Sequence, residues 1–251
     1  GDYDIVITDS NNCIYKNSFE VKTPQALDVD YTKSDISCFG KKDGRFTLIV
    51  TGGTFPFDYM IETPSGDTIT TINNSNVNAG KYTVKITDDN SCVDSTVIEI
   101  KQPQKLSVLT NNTNPACFGL NGALATTVTG GVQPYNFQWL DSIGALYAAT
   151  QNVVSADPGV YYLTVTDANR CKELDTVDIA EPSKLDIKLS SQVNPACLKD
   201  TTGQIVVSTS GGTSPYNYYL NKSLFNTSGV FSSLSTGKYI VTVEDNNKCQ
   251  D

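Results

Sequence analysis

Apolar and polar residues alternate in short runs along the chain. In Tyr82-Thr83-Val84-Lys85-Ile86 every second residue is apolar, the period of a strand with one buried face. Phe46, Leu48 and Val50 alternate likewise, matched by Leu124 and Val128 and by Ile205 and Val207. The runs are rich in Val, Ile, Thr and Tyr, and Gly, Pro, Asn and Asp punctuate them. That is the pattern of many short strands joined by turns, and helix signals are nearly absent.

The pattern recurs at a fixed step. The segment from Gly1 to Cys13 returns from Gly80 to Cys92, from Gly159 to Cys171 and from Gly237 to Cys249, the leading glycines stepping by 79, 79 and 78 residues. A Gly-Gly-x-x-Pro-aromatic marker keeps nearly the same step at Gly52–Phe57, Gly130–Tyr135 and Gly211–Tyr216. A third marker is the proline at Pro24, Pro103 and Pro182, each followed three residues later by Leu27, Leu106 or Leu185. Three markers in register define a tandem repeat.

The divisions that follow are 1–25 as the C-terminal part of a truncated repeat, 26–104 and 105–183 as complete repeats, and 184–251 as a repeat lacking its last strand. Each complete unit predicts about seven strands, in the first near Leu27–Thr32, Arg45–Thr51, Phe57–Ile61, one or two within Thr68–Val77, Lys81–Thr87 and Val93–Ile100. Seven short strands in roughly 80 residues is the pattern of an immunoglobulin-like β-sandwich. A unit of this size can hold its own core, so the expected architecture is all-β, tandem sandwiches as beads on a string. Gly-Gly-x-x-Pro-aromatic reads as a tight turn, and Asp89-Asn90-Ser91, Ala168-Asn169-Arg170 and Asn246-Asn247-Lys248 as hairpin tips. Each strand run of seven to eight residues makes a unit roughly 35–40 Å long with its loops, so an array of them reaches far.

Composition removes several functions. The net charge is −9 with no basic run, which argues against a nucleic-acid binder. The chain has no histidine, so neither a Ser-His-Asp triad nor a His-ligated metal can be built. No stretch approaches the ~20 apolar residues of a membrane span. The first residue falls inside a repeat, so any export signal or anchor is expected outside these residues. Asp88-Asp89 and Asp2 with Asp4 are the paired carboxylates, and the first pair sits where a turn favours Asp and Asn for local hydrogen bonds. Asp88, Asp89 and Asn90 could also offer clustered oxygens to Ca²⁺, the one cofactor the sequence suggests. Tyr82, Tyr161 and Tyr239 could form a carbohydrate platform but read better as inward strand residues, and Trp139 resembles the buried tryptophan of such sandwiches. No residue takes a catalytic assignment, and an enzyme is not expected.

Cys38-Phe39-Gly40 with Asp43-Gly44, then Gly-Gly-x-x-Pro-aromatic, then Gly-x-Tyr ending in Thr-Asp-x-Asn-x-Cys, resembles the SprB-type repeat of very large Bacteroidota surface adhesins, in order and spacing over essentially the whole chain. The last unit departs with Leu198 and Lys199 after the first cysteine and Glu244 for the threonine before Asp245. The resemblance implies export by the type IX system to the outer cell surface. It also implies a non-catalytic stalk or adhesive role in a long filament used for gliding or attachment. The partners would be other repeats of the same chain and surface polysaccharide or substratum. The alternative is a set of accessory carbohydrate-binding repeats of a secreted enzyme.

The seven cysteines alternate between two places: Cys38, Cys117 and Cys197 precede the Gly-led strand, and Cys13, Cys92, Cys171 and Cys249 follow the hairpin tip. There is no CxxC, and disulfides suit an oxidising exterior. Pairing within a repeat, Cys38–Cys92, Cys117–Cys171 and Cys197–Cys249 with Cys13 unpaired, would close each exported unit on itself. In a strict immunoglobulin order, however, these loops lie at opposite poles, and pairing across neighbours, Cys38–Cys171 and Cys117–Cys249, is the rival. The resemblance also implies O-linked glycans, which exported Bacteroidota proteins commonly carry at Asp-Ser/Thr followed by an apolar residue or Thr. That motif offers Thr68, Ser95, Ser142, Thr176 and Thr201, with the sites after Asp94 and Asp175 read as equivalent places in their repeats.

Overall fold

The computed structural model describes residues 1–197 and 199–251; Leu198, one of the departures in the last repeat, lies outside the described residues. The chain divides into two compact units, Gly1–Lys105 and Leu106–Asp251.

The first unit begins with an antiparallel hairpin of β1 (Asp2–Thr8) and β2 (Ile14–Glu20), in which Tyr3 faces Phe19 and Ile7 faces Tyr15. Both of its strands are exposed along their whole length. A seven-stranded sandwich follows: β3 (Asp28–Ser34), β4 (Gly44–Thr51), β5 (Phe57–Glu62), β6 (Thr68–Ile69), β7 (Asn73–Val77), β8 (Gly80–Asp88) and β9 (Val93–Ile100). One sheet has the order β3-β4-β7 and the other β6-β5-β8-β9, with antiparallel pairing throughout. The two short strands of Thr68–Val77 therefore belong to opposite sheets, and the chain between them crosses the sandwich.

The second unit holds two further sandwiches. The first is β10 (Ser107–Thr113), β11 (Gly122–Thr129), β12 (Asn136–Leu140), β13 (Leu146–Ala148), β14 (Val153–Ala156), β15 (Gly159–Thr166) and β16 (Lys172–Ile179), with sheets β10-β11-β14 and β13-β12-β15-β16. The last is β17 (Asp186–Val193), β18 (Gly203–Ser210), β19 (Asn217–Leu220), β20 (Leu224–Asn226), β21 (Val230–Leu234) and β22 (Val241–Glu244), with sheets β17-β18-β21 and β20-β19-β22. Its edge after β22 carries only a bridge between Glu244 and Gln250 where the other sandwiches carry a full strand.

Each sandwich closes its own core. The alternation in β8 puts Tyr82, Val84 and Ile86 inside, against Phe46, Leu48, Ile61, Ile98 and Ile100. The second core gathers Leu124, Tyr161, Leu163, Val165 and Ile179 around Trp139, which is fully buried and donates its indole N–H to the Thr150 carbonyl at 3.0 Å. The third is built on Leu220, Phe231, Leu234 and Val243. Tyr82 and Tyr161 are core residues and Tyr239 packs partly buried against the third core; their hydroxyls reach back four residues to a carbonyl, Tyr82 to Asn78 at 3.0 Å, Tyr161 to Asp157 at 2.8 Å and Tyr239 to Ser235 at 2.9 Å. This is the corner that fixes the entry to the corresponding strand of immunoglobulin sandwiches. Buried phenols are hard to ionise, and burial raises the pKa of both Tyr82 and Tyr161.

The missing strand leaves a mark on the last core. A Cβ on Gly44 would lie 2.9 Å from Ile100 Cγ2, and one on Gly122 would lie 2.8 Å from Ile179 Cγ2, so the final isoleucine of each complete sandwich fills the space under that glycine. At the equivalent Gly203 there is instead an open cleft of ≈ 390 Å³ lined by Pro195, Ile205, Leu234 and Tyr239. Replacing Trp139 by alanine removes the largest buried side chain of the second core and should cost about 3–5 kcal/mol. Denaturant unfolding followed by a probe in each unit should show the Leu106–Asp251 transition shifted and the Gly1–Lys105 transition unmoved.

Candidate functional site: the poles of the repeats

The recurring polar residues gather at one pole of each sandwich, around a buried aspartate. Asp88 is the last residue of β8, Asp167 and Asp245 directly follow β15 and β22, and the three are 6%, 2% and 1% exposed. One carboxylate oxygen accepts the N–H of the cysteine four residues on, at 2.7 Å for Cys92, 2.8 Å for Cys171 and 2.9 Å for Cys249. The other accepts an N–H from the Gly-Gly turn, Thr54 at 2.9 Å, Val132 at 2.9 Å and Thr213 at 2.8 Å. The two loops are also joined backbone to backbone, Asp89 N–H to Thr54, Ala168 N–H to Val132 and Asn246 N–H to Thr213. A single carboxylate thus ties the hairpin tip to the turn between the second and third strands.

The glycines make this approach possible. A Cβ on Gly53 would lie 3.2 Å from Asp88 Oδ2, and one on Gly131 or Gly212 would lie 2.9 Å from the carboxylate of Asp167 or Asp245. These glycines also have φ near +60°, where side chains are strained. The Pro of the same marker follows a cis peptide bond in all three repeats. In the two units where the aromatic is tyrosine, its hydroxyl donates to the carbonyl of the first glycine, Tyr135 to Gly130 and Tyr216 to Gly211.

At Asp88 burial pushes the carboxyl pKa up, but the backbone donors of Thr54 and Cys92 outweigh it, and the group stays below its ordinary value. The same is true of Asp43, which accepts the hydroxyl and N–H of Ser37, and of Asp35, held down by the Lys101 N–H and by Lys33. The sequence presented Asp88, Asp89 and Asn90 as oxygens for Ca²⁺. In the fold Asp88 turns inward onto N–H groups, the Asn90 amide donates to Thr54 Oγ1 at 2.8 Å, and Asp89 joins the turn through its backbone N–H. Asp2 and Asp4 lie on the exposed strand β1.

The opposite pole holds the other cysteines. The loop after the first strand turns at the cysteine, whose carbonyl accepts the N–H three residues on: Lys41 to Cys38 at 3.1 Å, Leu120 to Cys117 at 3.2 Å and Asp200 to Cys197 at 3.1 Å. This loop is tied to the exit of the sandwich, Gly40 N–H to Gln102 Oε1 at 3.0 Å and Gly119 N–H to Glu181 Oε1 at 2.8 Å. Cys171 stands at the start of the eight-residue β16 and Glu181 just beyond its end. That strand spans roughly 27 Å, whereas a disulfide requires Cα atoms within about 7 Å.

Pairing within a repeat is therefore corrected. Cys117 is bonded to Cys249, with Cα atoms 5.6 Å apart and a separation of 132 in sequence. This replaces Cys117–Cys171 and Cys197–Cys249. Cys92 is a free thiol, which excludes Cys38–Cys92, and Cys13 and Cys197 are free as well. Cys38 and Cys171 are not among the free thiols. The bond joins the loop pole of one repeat to the tip pole of the next, and Asn247 Nδ2 adds a contact there by donating to the Ala116 carbonyl at 3.1 Å.

The five Ser and Thr residues of the glycan motif, Thr68, Ser95, Ser142, Thr176 and Thr201, are all exposed. Those after Asp94 and Asp175 are not equivalent: Asp94 faces Ile86, and Asp175 faces Leu163, two residues further along the ladder. Both aspartates cap a neighbouring strand, Asp94 accepting Val29 N–H and Asp175 accepting Thr110 N–H. The bridging role of Asp88, Asp167 and Asp245 escaped the sequence reading, although an aspartate four residues before every tip cysteine, Asp9 included, was the available signal.

Asp167→Ala should cost about 2–4 kcal/mol, because at least two buried N–H groups lose an ionised acceptor, and thermal unfolding will measure it. Since the folded carboxyl of Asp88 is depressed, its stabilisation is complete above the ordinary pKa of 3.8 and is lost as pH falls through the folded value. Melting curves between pH 7 and pH 2 should fall only below about pH 4. Reduction should lower the melting temperature of the second unit. A loop of this length contributes about 5 kcal/mol in the chain-entropy model, and non-reducing peptide mapping should recover Cys117 linked to Cys249.

The comparisons fall on the same pattern. A family model described as SprB repeat matches residues 31–66, 109–143 and 189–225. Each match runs from the first strand of a sandwich through the loop cysteine and the Gly-Gly turn to the third strand. No curated protein matches. Among solved structures, three N-terminal domains of the outer capsid protein Hoc of bacteriophage RB49 are 14% identical, with a TM-score of 0.42, over 90% of this chain and 85% of that one. A tetra-tandem repeat from the extending region of a large adhesion protein is 14% identical, with a TM-score of 0.30, over 99% and 78%. The Dpr2 Ig1-Ig2 structure in complex with DIP-Theta Ig1-Ig3 is 12% identical, with a TM-score of 0.35, over 90% and 98%. With the match falling on the same strands, loop and turn of each successive sandwich, this chain contains three SprB repeats.

Proposed function

We propose that the chain is a non-catalytic spacer and adhesive segment of a large exported protein of the outer cell surface, of the gliding or attachment kind. The observation that carries this reading is the covalent join between successive repeats: Cys117 of one sandwich is bonded to Cys249 of the next. A disulfide between domains transmits tension from one core to its neighbour and persists in an oxidising exterior. The recurring polar residues support the same reading, because Asp88, Asp167 and Asp245 spend their charge on backbone N–H groups. Burial of Tyr82 and Tyr161, with their hydroxyls on carbonyls, weighs against a carbohydrate platform built on them.

Surface polysaccharide or a solid substratum is the proposed adhesive target, and type IX export the proposed route. The exposed hydroxyls of Thr68, Ser95, Ser142, Thr176 and Thr201 are proposed O-glycan sites, which would add bulk to the surface and shield strand edges from pairing. The test is labelling of intact native-host cells with a membrane-impermeant amine reagent, followed by mass spectrometry. Labelled lysines with glycosylated peptides at those five sites are expected. Labelling only after lysis would overturn the surface assignment, and unmodified peptides from surface-labelled material would overturn the glycan assignment alone.

A further inference from the structure

The join between Cys117 and Cys249 depends on two local shapes, and both recur where no partner is present. At the loop pole, the turn that presents Cys117 has the Leu120 N–H on its carbonyl, and the turn at Cys197 has the Asp200 N–H on its carbonyl, at 3.2 and 3.1 Å. At the tip pole, Cys249 is presented by a buried aspartate four residues earlier, with Lys248 at φ 70° and Asp245 N–H on the Cys249 carbonyl. Cys92 is presented identically, by Asp88, with Ser91 at φ 64° and Asp88 N–H on the Cys92 carbonyl. The outlying hairpin repeats it once more: Cys13 N–H donates to Asp9 Oδ1 at 2.8 Å and Asn12 has φ 59°. The free thiols of Cys197 and Cys92 are both exposed.

We infer that these thiols are the open halves of the same joint, so that Cys197 accepts the tip cysteine of a repeat following it and Cys92 the loop cysteine of a repeat preceding it. The partner is a further repeat of this kind. The polarity follows from the fold: the loop pole lies beside the exit of a sandwich, as Gly119 with Glu181 shows, and the tip pole lies beside the entry, as Gly212 N–H on the Ser183 carbonyl shows. A loop cysteine therefore meets only the repeat after it and a tip cysteine only the repeat before it. Each joint forms by oxidation of two thiols to one disulfide, with two protons and two electrons passing to a low-molecular-weight disulfide that is reduced to two thiols. An array of such repeats would be a continuous covalent ladder in which every sandwich is joined to both neighbours.

The experiment extends the whole chain by one unit, placing a second copy of residues 172–251 directly after Cys249. The added segment supplies the missing last strand of the third sandwich and one further repeat, with two added cysteines. The extended chain is refolded with glutathione disulfide, alkylated and mapped without reduction. Cys197 should be linked to the tip cysteine of the added repeat, and the number of alkylated thiols should equal that of the parent chain, the added loop cysteine taking the place of Cys197. In the extended Cys197→Ser variant, the tip cysteine of the added repeat should become alkylated while Cys117–Cys249 persists. Two extra alkylated thiols in an extended chain that retains Cys117–Cys249, or linkage of Cys197 to another molecule, would overturn the inference.

Discussion

The carboxylate shared by Asp88, Asp167 and Asp245 is the interaction on which the geometry of this chain depends. A buried charge is costly unless it is satisfied, and each of these accepts N–H groups from two loops that are far apart in sequence. Its position requires glycine in the turn it contacts, since a Cβ on Gly131 or Gly212 would crowd the oxygen. It also dictates where the tip cysteine stands, because the same oxygen that caps the tip holds the cysteine N–H. The Gly-Gly turn, the aspartate and the cysteine recur together because they form one structural part.

From that part the linkage follows. The tip pole, tied to the Gly-Gly turn by the aspartate, carries one cysteine, and the loop pole, tied to the exit segment by Gln102 or Glu181, carries the other. Since a strand's length separates them within a sandwich, each is out of reach of its own partner. Cys117 and Cys249 show the outcome, with Asn247 adding a polar contact to the same loop. The carboxylates of Asp88, Asp167 and Asp245 are engaged in this scaffolding.

Much of the fold was legible in the residues. Strict alternation in Tyr82–Ile86 and its copies dictates which side of each strand is buried, and Tyr82, Val84 and Ile86 are inside as the period demands. Proline, glycine and asparagine mark the turns through backbone angles that few other residues adopt. The step of the repeat sets the division into sandwiches, and the absence of histidine removes whole classes of catalysis at once. These are local properties, and sequence carries them directly.

What only the tertiary structure decided is which distant groups meet. The sequence offered each cysteine several partners at comparable spacing, and strand direction alone distinguishes them, because the two ends of a strand of eight residues cannot share a disulfide. The aspartates looked like ordinary turn residues, since four positions of sequence do not reveal that a second loop, more than thirty residues away, donates to the same carboxylate. The sites after Asp94 and Asp175 looked equivalent when counted from the preceding cysteine and are two residues apart on the ladder, because register is set by cross-strand pairing. Pattern and period determined the elements of this protein, while the closing of two sheets over a core determined its joints.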